Sequence, residues 1–175
     1  MPDIIVNTGG TDWLTPAATL LAVIVGGAVS YWVQYALNRR REKGEAKAAA
    51  RMIQGDLAIA ASRMQDMVEK DPTWYGYDDL TLANWDARQG VLALHLDSKT
   101  WEVVSQSALE LTGLTAGMRK ALLPGGPHAG KPTLQLSDNQ RTAMRKLWEN
   151  ASDAYNVLAP LAGNKPVQGL LHEGA

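Results

Sequence analysis

The chain has 175 residues, a formal net charge of −1, six tryptophans, five tyrosines, and neither cysteine nor phenylalanine. Absence of cysteine excludes disulfides, thiol nucleophiles and cysteine-ligated zinc or iron–sulfur centres, and the near-neutral charge argues against a general nucleic-acid binder. The length suits one domain with a core beside a terminal anchor.

Residues 1–12 read as a short extracytoplasmic tail that holds Asp3 and Asp12 but no lysine or arginine. From Trp13 to Asn38 no charged side chain occurs, and a helix over that stretch would measure roughly 39 Å, enough to cross a hydrocarbon core of ~30 Å. Thr15-Pro16 suits a helix start, because a threonine hydroxyl caps the first amides and proline lacks an N–H where none is needed. Trp13 at one end and Tyr31, Trp32 and Tyr35 at the other fit the two headgroup layers, and Arg39, Arg40 and Arg41 follow at once. The sequence therefore predicts a transmembrane helix over 13–38, amino terminus outside, in the inner or cell membrane. A cleaved signal peptide carries its basic stretch before the apolar run, and here it comes after.

Within the span, Ala18, Ala22, Gly26 and Ser30 recur every four residues. That spacing aligns small side chains on one face and predicts an association surface for a second helix. Residues 39–51 carry Arg39, Arg40, Arg41, Lys43, Lys47 and Arg51 against Glu42 and Glu45, so the rest of the chain is net acidic. A basic cluster beside a span suits anionic headgroups.

Beyond the span, residues 39–163 read as a cytoplasmic antiparallel bundle of about four helices, all-α in class. Ala46, Ala50, Ile53, Leu57, Ala60, Met64 and Met67 form a heptad-like apolar seam, stopped by Asp71-Pro72. Gly44 and Gly55 each weaken that helix by about 1 kcal/mol relative to alanine and mark places for a bend. Thr73 to Asp79 reads as an aromatic loop. A second helix is expected over Leu82–Leu96, and Asp97 or Ser98 caps a third that carries Trp101, Val104, Ala108, Leu111, Thr115, Met118 and Leu122. Proline and glycine in 123–136 predict a flexible loop. Ser137 and Gln140 form a capping box for a fourth helix, ended by Pro160 and Gly163. Residues 164–175 are expected to be a disordered tail.

No chemistry-bearing constellation survives inspection. Gly125 to Lys131 spells the opening of a phosphate-binding loop, but Pro132 stands where a serine or threonine must reach Mg²⁺, and no strand is expected before it. His95, His128 and His172 lack the i, i+4 spacing of metal-binding helices. Asp56, Asp66, Glu69, Asp86, Glu102 and Glu110 read as solvated carboxylates, and Glu-x-x-His does not occur. A site at the mouth of the bundle would draw on Trp74, Tyr75, Tyr77 and His95. No catalytic residue, cofactor, metal or small-molecule substrate is predicted.

The reading is a single-pass membrane-anchored scaffold or accessory subunit, without enzymatic activity, that acts through protein–protein contact or oligomerisation. Its expected partners are the lipid bilayer and either further copies of itself or another membrane protein. The alternative is a membrane-acting effector, holin-like or toxin-like, of phage or bacterial defence.

Overall fold

The computed structural model describes residues 14–75, 80–123 and 133–166, with side chains of the first helix from Ala18 onward. Helices occupy 82% of the described residues. In chain order the elements are α1 (Leu14–Glu69), β1 (Thr73–Tyr75), α2 (Trp85–Ala93), α3 (Ser98–Leu122), β2 (Thr133–Gln135) and α4 (Asp138–Ala162). The chain divides into two compact units, Met1–Glu42 and Lys43–Ala175, and α1 contributes to both. The sequence left open whether the first bundle helix continues from the apolar stretch; α1 is one element over both, so the four helices include the apolar one.

In the first unit the described residues from Ala18 are all exposed helix. In the second, every member of the Ala46 to Met67 seam is buried, and Ile53, Leu57 and Met64 are fully so. Burial of such side chains stabilises by about 1.5–3 kcal/mol each as an upper estimate. Gly44 and Gly55 lie inside α1 with open space around them, so neither breaks the helix. The amides of Lys70 and Asp71 both donate to the Asp66 carbonyl as the helix closes. Lys70 also pairs with Asp66 at 2.7 Å on the exposed surface, and that carboxylate raises the lysine pKa.

Thr73–Tyr75, expected in a loop, and Thr133–Gln135, inside the stretch expected to be a flexible loop, pair as an antiparallel two-stranded sheet with Trp74 opposite Leu134. The Leu136 amide donates to the Pro72 carbonyl, and Trp74 and Leu134 point into the core. Three-residue strands are too short for the two-residue alternation that marks a strand, and each satisfies its backbone only through a partner distant in sequence.

Helix α2 is shorter than the predicted Leu82–Leu96. Its start is fixed from outside: Asp56 of α1 accepts from the Asn84 amide at 2.8 Å and from the Asn84 side chain, although Asp56 reads from sequence as a solvated carboxylate. A carboxylate there neutralises amides that have no partner within the helix. Trp85 stacks on Trp101 of α3, ring centres 5.5 Å apart. Of the two candidate caps for α3 the structure uses Asp97, which accepts from the Thr100 amide and hydroxyl, and this lowers its carboxyl pKa below the usual aspartate range. The Ser137–Gln140 capping box also forms. Helix α4 runs through Pro160 to Ala162 and ends at Gly163 in the left-handed conformation (φ 74°), which glycine adopts without penalty.

A single core in the second unit draws on α1, α2, α3, α4 and both strands. Hydrogen bonds between α1 and α4 fix their relation: Arg51 reaches Ala162, Gln54 reaches Tyr155, and Val68 meets Arg141. Rising numbers on one helix match falling numbers on the other, so the two run antiparallel.

Candidate membrane segment and the clamped end of the second unit

Among the described residues one helix is long and apolar enough to cross a membrane, and the apolar window on it has none of its residues buried. Leu20, Leu21, Val23, Ile24, Val25 and Val29 present their side chains outward on every side of α1. An apolar surface of this extent marks a segment that a membrane or a partner covers. Gly26 and Gly27 have nothing within 4 Å of where a Cβ would sit, so the backbone there is open to close approach. Ala18, Ala22 and Ser30 are exposed in the same stretch.

Tyr31, Trp32 and Tyr35 are exposed and gather at one level of the helix. Tyr31 stacks on Tyr35 with ring centres 6.5 Å apart, and Trp32 meets Tyr35 edge-on at 6.4 Å. Arg39, Arg40 and Arg41 follow, all exposed. Trp13, the predicted anchor at the opposite end, lies outside the described residues.

The basic run that reads as one cluster in the sequence serves two purposes. Arg51 donates from Nε to the Ala162 carbonyl at 2.9 Å, at the end of α4 where carbonyls lack helical partners. A Cβ on Gly163 would come within 2.8 Å of Cε and Nζ of Lys47, so that side chain lies against the same helix end. Positive charge is favourable at a helix carboxyl end. Gln54, only 2% exposed, completes the clamp by donating to Tyr155 and accepting from Asn164, both at 2.8 Å. At the far end the roles reverse: Arg141 of α4 donates to the Val68 carbonyl in the last turn of α1 at 2.6 Å. Spacing could not reveal these pairings, because partners lie 73 to 111 residues apart.

Of the residues named for a site at the bundle mouth, Trp74 and His95 differ in their surroundings. Trp74 is fully buried in the core with its indole N–H unpartnered, whereas His95 is exposed with Nδ1 2.9 Å from the Val91 carbonyl in the last turn of α2. Tyr77, His128, His172 and the Gly125 to Lys131 loop lie outside the described residues. Two shallow hollows flank the core. One of about 160 Å³ is lined by Val103, Gln106, Ser107, Asn150 and Asp153, and its polar groups are turned on each other: Ser107 donates to the Asn150 carbonyl and the Asn150 amide to Glu110. The other, about 170 Å³, includes Asp56, already engaged by Asn84. Among the described residues no three His, Asp or Glu side chains gather as metal ligands do.

No family model matches this chain, and no curated protein or solved structure does.

Proposed function

We propose that this protein is a single-pass membrane protein whose apolar first half of α1 spans the bilayer with the amino terminus outside, and whose second unit is a cytoplasmic helical bundle. It serves as a scaffold or accessory subunit that works by protein–protein contact, either with copies of itself or with another membrane protein. One observation carries the reading: an apolar helical stretch with none of its side chains covered, followed directly by three arginines. Orientation follows from the positive charge after the span. The small-residue face of Ala18, Ala22, Gly26 and Ser30 is the route for association within the bilayer.

The test is to isolate the protein from membranes in mild detergent, measure the mass of the particle and identify what accompanies it. A stoichiometric partner supports the accessory-subunit role. A discrete homo-oligomer that Gly26→Ile reduces to monomer supports self-association through the span, and toxicity of that oligomer on expression would move the reading to a membrane-acting effector. A monomer without a partner overturns both. Recovery of the protein in the soluble fraction, without detergent, overturns the membrane assignment.

A further inference from the structure

Hydrogen bonding within the second unit sorts its surface into two ends. Its chain begins at Lys43, and Arg51 and Gln54 tie the last turn of α4 and Asn164 to the α1 residues close to that beginning. Helix α3 shares this polarity. Ser107 bonds Asn150, and the hollow between α3 and α4 sets Val103 beside Asp153, so moving back along α3 means moving forward along α4. Nine residues before Val103 stands Leu94, and nine residues after Asp153 stands Ala162. The α2–α3 turn and the carboxyl end of α4 therefore lie at the same end as Lys43.

That end has a distinct chemistry. Leu94 is 84% exposed, the highest value among the described large hydrophobic side chains. Lys43, Lys47, Lys99 and Lys165 are all exposed around it. The acids at this end, Glu42 beside Lys43, Glu45 and Asp97, are fewer than its lysines, and Asp97 is turned onto the first turn of α3 as its cap. Lysines at the same end as a projecting apolar side chain complement an anionic bilayer surface, where lysines meet headgroups and a leucine can enter the interfacial layer.

We propose that this end of the second unit rests on the anionic bilayer surface, with Leu94 in the headgroup layer and the four lysines against anionic headgroups. The inference rests on the membrane assignment above and adds to it which end of the folded unit meets lipid.

Absence of native cysteine makes the test clean. Full-length Leu94→Cys and Leu123→Cys carry a polarity-sensitive dye and are reconstituted into phosphatidylcholine vesicles with or without phosphatidylserine. Leu123 is also exposed and follows the other end of α3, about 37 Å away along the helix. With phosphatidylserine present, the Leu94 dye shifts to the blue and loses most of its emission to a headgroup-borne quencher, while the Leu123 dye keeps its emission. Equal behaviour at Leu94 and Leu123 in protein that resists alkaline extraction overturns the inference but leaves the span standing. Quenching at Leu94 that ignores phosphatidylserine overturns the role of charge. Release of the protein by alkaline extraction overturns the membrane assignment itself.

Discussion

Arg141 and Val68 sit 73 residues apart in the chain, yet the guanidinium of one donates to the carbonyl of the other at 2.6 Å, in the turn where α1 runs out of helical partners. Arg51 performs the converse service for Ala162. Each helix thus brings a cation to the carboxyl end of its antiparallel neighbour.

Loss of either clamp destabilises the second unit. Arg141→Ala and Arg51→Ala should each cost about 1.5–3 kcal/mol, the value of a hydrogen bond to a charged donor, whereas Arg39→Ala and Arg40→Ala should leave stability unchanged. Urea unfolding of the full chain in micelles, followed by tryptophan fluorescence, checks this. Equal effects at Arg51 and Arg39 would return Arg51 to the juxtamembrane cluster.

Two glycines should respond in opposite directions. Gly55 lies inside α1 with open space where a Cβ would go, so Gly55→Ala should stabilise by about 0.5–1 kcal/mol. Gly163 holds a positive φ and would set a Cβ 2.8 Å from the Lys47 side chain, so Gly163→Ala should destabilise by roughly 1–2 kcal/mol. Midpoints of the same unfolding transition decide both.

Trp74 is the largest fully buried side chain and its N–H has no partner. Trp74→Ala should therefore cost about 3–5 kcal/mol through the cavity it leaves. Trp74→Phe should cost clearly less, since it sacrifices no hydrogen bond and keeps most of the ring volume. A phenylalanine variant as unstable as the alanine one would mean that the indole N–H is satisfied in solution.

The Asp97 cap predicts a pH dependence. Its carboxyl pKa is lowered in the fold because Thr100 donates to it twice, so the stability it supplies is present above the ordinary aspartate range and is lost as pH falls through the lowered folded value. The stability gap between wild type and Asp97→Ala should be widest at neutral pH and close as pH falls through and below the ordinary aspartate range. A gap independent of pH would show that the carboxylate's charge plays no part in the cap.

Local signals in the sequence were strong where one helix face decides the outcome. The Ala46 to Met67 seam follows from spacing alone, and so do the Asp97 cap and the Ser137–Gln140 box, because each involves residues within a few positions of one another. What spacing could not convey is the choice of distant partners. Composition groups Arg51 with Arg39, although only a folded α4 gives Arg51 a carbonyl to meet. Asp56 has the profile of a surface carboxylate until Asn84, 28 residues on, arrives beside it. The strand residues carry no pattern of their own and become strands only by pairing. For the apolar stretch the position is reversed: its signal is strongest in the sequence, and the structure adds that nothing covers it.

The clamp between Gln54 and Asn164 also has a meaning for biosynthesis. Gln54 leaves the ribosome 110 residues before the amide that satisfies it, an interval of roughly 6–22 s at ordinary elongation rates. Throughout that time the seam of α1 has no α4 to cover it. A message that ends before α4 would produce a chain whose α1 seam stays bare, a natural substrate for proteases. Completion of the last helix is thus the event that makes the product safe to keep.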